Sequence, residues 1–282
     1  MVGPAEFDFL RGLVRERSAI VLEPGKEYLV ESRLVPLLRD RQLPTLAALA
    51  GALRADPQGE LARAVVEAMT TNETSFFRDH HPFEALQHRL LPELIAARAG
   101  ERRLRFWSNA CSSGQEAYSL AMLLAEHFPG LAGWDVSILA TDLSRDMVRR
   151  AQQGSYGQLE VNRGLPAPLL VKYFERQGTR WQVRPELRRW VQARELNLME
   201  PWPALPRFDV IFLRNVLIYF DLDTKRTILR RARQALRPDG YLLLGSAETT
   251  VMLDAAWERV VIGNSVAYRA GATPLRTAGS AA

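Results

Sequence analysis

Cysteine is nearly absent: the 282-residue chain has one, Cys111. It can therefore form no intrachain disulfide and offers no cysteine cluster for a structural zinc, which fits a reducing compartment. Also missing is any stretch near the roughly 18 uninterrupted apolar residues that span a bilayer. Met1 to Phe9 holds no basic segment followed by an apolar run, so no secretory leader is expected. The expected location is the cytoplasm, with no direct membrane insertion. Blocks of like charge and internal repeats are absent too. The net charge is +5, but it is spread out: residues 1–70 hold nine Lys/Arg and ten Asp/Glu, leaving 28 and 22 for the rest. A mildly basic body suits an acidic partner. Without aromatic residues interleaved among the basic ones to stack bases, nucleic acid is not an expected partner.

What is present is an ordinary globular composition, 47% hydrophobic and 24% charged, long enough for a small domain joined to a medium one. From Ala5 to about Ala68 apolar residues recur at helical spacing (Phe7, Leu10, Val14; Tyr28, Leu29, Leu34, Leu37, Leu38; Leu46, Leu49, Leu53; Leu61, Val65, Met69). Breaks at Pro24-Gly25, Pro44 and Asp56-Pro57 divide them into four short helices, an all-α domain over residues 1–70. Pro36 should kink one of these or mark its first turn. A connecting segment and a helix starting near Pro82 fill residues 71–100.

Beyond that the pattern changes. Arg103 to Asn109, Asp135 to Thr141, Trp190 to Leu196, Phe208 to Arg214 and Tyr241 to Gly245 read as strands, most separated by amphipathic helices. Such alternation predicts an α/β domain over 101–270, a parallel sheet with helices on both faces. Trp257 to Ile262 and Ser265 to Arg269, joined by Gly263-Asn264, read as an antiparallel hairpin at the sheet edge. Residues 154–189 are too long for an ordinary connection and contain the alternating Arg180 to Arg184, so an inserted subdomain is expected there. The tail from 271 to 282 has a composition that favours disorder.

Ligands of open parallel sheets bind outside the carboxyl ends of the strands. After the first strand comes Ser108-Asn109-Ala110-Cys111-Ser112-Ser113-Gly114-Gln115-Glu116, small residues that let a ligand approach the backbone and open a helix. With one glycine it is not the three-glycine dinucleotide fingerprint, which disfavours NAD and FAD. After the second strand stands Asp142, placed to accept hydrogen bonds from ribose hydroxyls. An acid there also serves as the N-cap of the next helix, and Ser144 could equally fill that role. Loop and acid together describe a nucleoside site without naming the ligand.

Four ordered segments, TNETSFFR (Thr71 to Arg78), SSGQEAYSLAM (Ser112 to Met122), ILATDLS (Ile138 to Ser144) and FLRNVLIYFD (Phe212 to Asp221), resemble the CheR family of chemotaxis protein glutamate methyltransferases. The resemblance runs over about 260 residues. It implies a Rossmann-like, S-adenosylmethionine-dependent methyltransferase domain with a small inserted β-subdomain, preceded by the all-α domain. The substrate it implies is glutamate side chains on the cytoplasmic helices of methyl-accepting chemotaxis receptors. The products would be glutamate methyl esters and S-adenosylhomocysteine. The family's cofactor contacts fall on Asn72, Thr74, Arg78, Glu116, Asp142, Asn197, Leu198, Arg214 and Asn215, and its reaction centre on Arg78 and Tyr219. Gln115 and Ala117 stand where many relatives have Glu and Pro. The insertion's strand-turn segment, Phe174 to Pro185, is short beside relatives that dock on a receptor's C-terminal pentapeptide, so action without that tether, as a monomer, is expected.

Other readings of single residues compete. Tyr219 could be a core aromatic, and Arg78 a surface ion-pair partner of Asp79 or Glu84. Arg33, Arg39 and Arg41 could face acidic receptor helices or only solvent. Cys111 fits a small packing residue better than a nucleophile. His80-His81, adjacent and without accompanying ligands, suggests no metal. At the level of function, the rivals are a methyltransferase for nucleic acid or a small molecule, and a binding protein that senses S-adenosylmethionine without turnover.

Overall fold

The computed structural model describes residues 2–271; all but the first residue of the tail expected at 271–282 lies outside them. Four helices come first: α1 (Pro4–Ser18), α2 (Glu27–Asp40), α3 (Leu46–Ala55) and α4 (Glu60–Met69). Helix α1 begins with Pro at its first position, where no N–H is needed, and stops at Ala19, whose left-handed backbone sends its N–H back to Arg15 O. Each helix turns one apolar stripe inward, and Leu10, Val14, Val30, Leu34, Leu49, Leu53, Val65 and Met69 close over one another in a separate small core. Pro36 is neither first-turn residue nor helix end: it lies inside α2 on the exposed face, where water can serve the carbonyl it leaves without a donor.

Helices α5 (His81–Ala85) and α6 (Leu91–Ala97) join through a π-helical stretch, Leu86–Leu90. They lead to a sheet built from β1 (Arg103–Asn109), β2 (Asp135–Asp142), β6 (Val191–Glu195), β7 (Phe208–Leu213), β8 (Leu236–Leu244), β9 (Trp257–Ile262) and β10 (Ser265–Ala270). The order is β6-β2-β1-β7-β8-β10-β9, parallel through β8, with the final hairpin inserting β10 antiparallel against β8. Alternation along the strands separates two layers of core. Phe106, Ile138, Phe212 and Leu243 face one side with α7 (Gln115–His127), while Trp107, Ile211, Leu213 and Leu242 face the other. Strand β7 is buried along all six residues, as the central strand of a doubly covered sheet must be.

Strand β8 starts five residues earlier than the expected Tyr241. Arg237-Pro238-Asp239-Gly240 has turn composition, yet Leu236 pairs with Phe208 ahead of an irregularity in the β7–β8 register. After α8 (Arg145–Gln153) comes the insertion. It contains β3 (Ser155–Gly157), α9 (Gln158–Val161), α10 (Ala167–Tyr173), β4 (Phe174–Gln177), β5 (Arg180–Val183) and α11 (Pro185–Arg188), with a three-stranded sheet ordered β3-β5-β4. The remaining helix, α12 (Leu222–Ala235), covers the second face against β8. The insertion reaches back to the main domain: Phe76 packs edge-on against Tyr156 at 5.1 Å and Phe174 at 5.7 Å. This pins the segment between the two domains.

Candidate active site

Strand order reverses between β1 and β7, so loops leave their carboxyl ends in opposite directions and open a crevice. A cleft of about 930 Å³, open mouth included, occupies that place. It brings together all ten residues taken from the sequence: Asn72, Thr74, Arg78, Glu116, Asp142, Asn197, Leu198, Arg214, Asn215 and Tyr219. They come from five separate stretches of chain.

Asp142 ends β2 and is buried. The N–H of Ser112 donates to its Oδ2 at 2.8 Å and that of Ser144 to its Oδ1 at 2.9 Å. Ser144, not Asp142, caps α8, its side chain accepting from Met147 N. That answers the question the sequence left open. Burial pushes the Asp142 carboxyl above its ordinary range; the N–H groups of Ser144 and Ser112 oppose the shift, and the charge of Glu67 adds to it. Each carboxylate oxygen has one backbone donor and a lone pair to spare, so the group can still accept two hydroxyls.

The loop from β1 to α7 is held in an unusual conformation. Ala110, Ser112 and Gly114 have φ of 47°, 49° and 95°, and Cys111 N donates to Thr141 O, tying the loop to β2. Gly114 is required twice over: its φ disfavours other residues, and a Cβ would lie 2.9 Å from that of Ala151. Tyr156 Oη donates to Ser113 O at 2.8 Å, so the insertion also braces this loop. Burial pushes the Cys111 thiol well above its ordinary value, which suits packing and not nucleophilic attack.

Arg214 follows β7 with its side chain 1% exposed. Nη1 donates to Glu116 Oε2 at 2.9 Å; Nη2 donates to Asp79 Oδ2 at 2.7 Å and to Arg78 O at 2.9 Å. Ser108 Oγ donates to the other oxygen of Glu116. Arg214 therefore clasps the loop after β7, the start of α7 and the segment containing Arg78. The competing reading of Arg78 as an ion-pair partner of Asp79 or Glu84 is not what forms: Asp79 pairs with Arg214, and Glu84 with His81. Arg78 Nη1 donates instead to Glu73 O. Asn197 gives its amide N–H to Arg17 O and Glu200 Oε1 and accepts from Met199 N. Arg33 is turned inward onto Met69 O and Thr71 Oγ1, so of the three basic residues noted on this domain it is not a free solvent-facing charge.

The cleft has lining residues that the sequence did not single out. Ser18, the last residue of α1, and Ile20, just beyond it, carry no local signal; they reach the cleft because Val21 N donates to Tyr219 O and Asn197 holds Arg17. Leu143, Leu196, Val216 and Phe220 add apolar surface, and each adjoins a residue that was identified, which was the available clue. Among the described residues no cluster of His, Cys, Asp and Glu is arranged to hold a metal, and no helix is long and apolar enough to cross a membrane.

Comparison with known proteins agrees with this geometry. Residues 5–70 match the family model described as the CheR methyltransferase all-alpha domain, and residues 72–265 match the CheR methyltransferase SAM binding domain. The chain is 44% identical over 270 residues to chemotaxis protein methyltransferase 1 of Pseudomonas aeruginosa, covering 94% of this chain and 98% of that one. It is 40% identical to chemotaxis protein methyltransferase Cher2 of Pseudomonas putida over 95% and 98% of the two chains. Against chemotaxis protein methyltransferase 1 of Vibrio cholerae the identity is 42% over 93% and 95%. With a cleft at the carboxyl ends of the strands and both family domains matched in order over nearly the whole chain, the protein belongs to the CheR methyltransferase family and is an S-adenosylmethionine-dependent methyltransferase.

Proposed function

We propose that this enzyme methylates glutamate side chains on the cytoplasmic helices of methyl-accepting chemotaxis receptors, with Arg78 and Tyr219 at the reaction centre. The observation that carries the reading is the condition of Arg78. It shares the cleft with Tyr219 and forms no ion pair among the described residues, whereas nearby Arg214 is ion-paired with Glu116 and Asp79. A guanidinium left without a carboxylate beside a cofactor cleft is suited to receive one from a substrate.

The residues present fit the cofactor. Asp142 has lone pairs for both ribose hydroxyls. Ile20, Leu143, Leu196 and Leu198 offer an apolar wall to the base. Arg214 with Glu116 and Asp79 sums to one negative charge, which suits an ammonium group. Asn72, Thr74, Asn197 and Asn215 complete the surroundings on the strength of the family resemblance. S-adenosylmethionine supplies a methyl group carried on a positive sulfur. A glutamate, with an ordinary pKa of about 4.3, arrives ionised, so no general base is needed. Attack cancels an anion against a cation, a change that water opposes. Arg78 therefore acts by orienting the incoming carboxylate, and Tyr219 by hydrogen bonding or packing beside it, while the apolar lining excludes solvent.

The same reading extends to setting. The β4–β5 hairpin has only four residues in each strand, which supports action without a pentapeptide tether; under this proposal the enzyme acts in the cytoplasm as a monomer. Many arginines are paired with carboxylates, among them Arg63 and Arg145 with Glu195 and Arg237 with Glu101, which supports a protein partner over nucleic acid.

Incubation with tritiated S-adenosylmethionine and receptor-containing membranes should place base-labile label on receptor glutamates; label on nucleic acid alone would overturn the reading. Arg78→Ala should lower methyl transfer about 10²-fold and Tyr219→Phe about tenfold. Both should affect transfer more than cofactor binding, and equal loss of the two would remove the assigned roles.

A further inference from the structure

The segment that carries Tyr219 has almost no regular structure of its own. Between the end of β7 at Leu213 and the start of α12 at Leu222 lies only one turn of 3-10 helix, Leu217–Tyr219. Asn215 holds φ at +58° and Val216 has φ −125° and ψ −35°. The N–H groups of Asn215, Val216 and Leu217 converge on one side chain more than 30 residues away, Glu248. Asn215 N donates to Oε2 at 2.7 Å, Val216 N to Oε1 at 2.9 Å and Leu217 N to Oε1 at 2.7 Å. Gly245 N adds a fourth donor to Oε2 at 2.7 Å, and Glu248 N donates back to Gly245 O.

We propose that Glu248 is a positioning residue for methyl transfer, fixing the wall of the cleft that presents Asn215 and Tyr219. The proposal rests on the placement of Tyr219 at the reaction centre. Glu248 itself lines a different depression, with Asp79, His81 and Arg259. Only a carboxylate can do this work: it is acceptor on every side, with about four lone-pair sites. A glutamine would turn an NH2 group toward two of the four donors. Gly245 serves the same end through space, since a Cβ there would stand 2.7 Å from both Glu248 Oε2 and Asn215 Nδ2.

The test uses Glu248→Gln in the full chain, with Gly245→Ala as a second variant that disturbs the same carboxylate from its other side. Each should lower kcat about tenfold or more. Glu248→Gln combined with Tyr219→Phe should be non-additive in kcat, the double variant being at least about threefold more active than the product of the single effects. A merely structural role would not produce this coupling. As a control, Glu248→Gln with Asp142→Asn, at the end of β2, should be additive in cofactor affinity. Additivity with Tyr219→Phe in both backgrounds would overturn the proposal. If Tyr219→Phe alone has wild-type kcat, it is the Tyr219 reading that fails. Glu248 is then judged by coupling to Asn215→Ala in cofactor affinity, where additivity would overturn its role.

Discussion

Strand β7 carries an arginine–carboxylate cluster, centred on a buried arginine, at each end, and the two are built to opposite purposes. At the amino end, Asp209 accepts from Arg98 Nε at 2.7 Å and from Arg105 N at 2.8 Å, while both terminal nitrogens of Arg98 grip Asp239. Arg237 closes the group by a bidentate bond to Glu101. The pairing with Asp239 and Asp209 holds Arg98 firmly in its charged form. At the carboxyl end, Arg214 holds Glu116 and Asp79, but Arg214 Nε has no partner and Glu116 remains 14% exposed toward the cleft. The amino end is saturated and therefore structural. Its counterpart is incomplete by design of the fold, and incompleteness is what lets a ligand contribute.

The largest effect expected is on the saturated side. Arg98→Leu should destabilise the protein by about 3–5 kcal/mol in urea unfolding, because it abandons Asp209 in a fully buried site. The folded fraction should bind cofactor as before. Arg214→Leu should cost less stability, about 1–3 kcal/mol, since water reaches its partners, yet it should weaken cofactor binding. If Arg98→Leu weakened binding as much as Arg214→Leu, the two ends would not be independent and the contrast would fail.

Much of this was legible in the sequence because the signals were local. Val210 to Leu213 is an unbroken apolar run inside a β-rich stretch, and such a run reads as a central strand. The small-residue loop and Asp142 stood just past the first two strands, where topology requires a site. What was not legible depended on distance. Ser18 and Ile20 reach the cleft only through bonds to Tyr219 and Asn197, some 180 residues further on. Glu248 looked like any acid after a strand, and three of its four donors lie on another loop. The start of β8 was hidden because Pro238 and Gly240 mimic a turn. Asp142 and Ser144 could not be told apart until the backbone showed which one caps α8.

A smaller effect is expected at Asp142. Asp142→Asn should weaken cofactor binding about 10–100-fold at neutral pH by removing charge-assisted acceptance of the ribose hydroxyls. Its pH dependence sharpens the point. The folded carboxyl is raised, so in wild type affinity should fall as pH drops through a value above the ordinary aspartate pKa of about 3.9. Calorimetric titration of the Asn variant should give a flat profile over the same range.

The smallest effect expected belongs to Asp221, a partly exposed carboxylate shifted the other way. It caps α12, accepting from Thr224 N, and meets Arg15 of α1 at 2.9 Å. The backbone N–H of Thr224 foremost, then its hydroxyl and Arg15, hold its pKa down to about 2. A depressed carboxyl stabilises the fold fully above its unfolded pKa of about 3.9 and loses that contribution as pH falls toward the folded value. Since Asp221 is partly solvated, Asp221→Ala should cost only about 0.5–1 kcal/mol at neutral pH. The difference from wild type should fade as the pH falls through about 2, with cofactor affinity unchanged throughout. On lowering the pH, then, the buried acid should release its ligand before the partly exposed one releases α1. Measuring affinity and stability on one pH series tests that order directly: simultaneous loss would mean that the cleft and the α1–α12 link unfold as one unit, and that the site has no acid-sensitive element of its own.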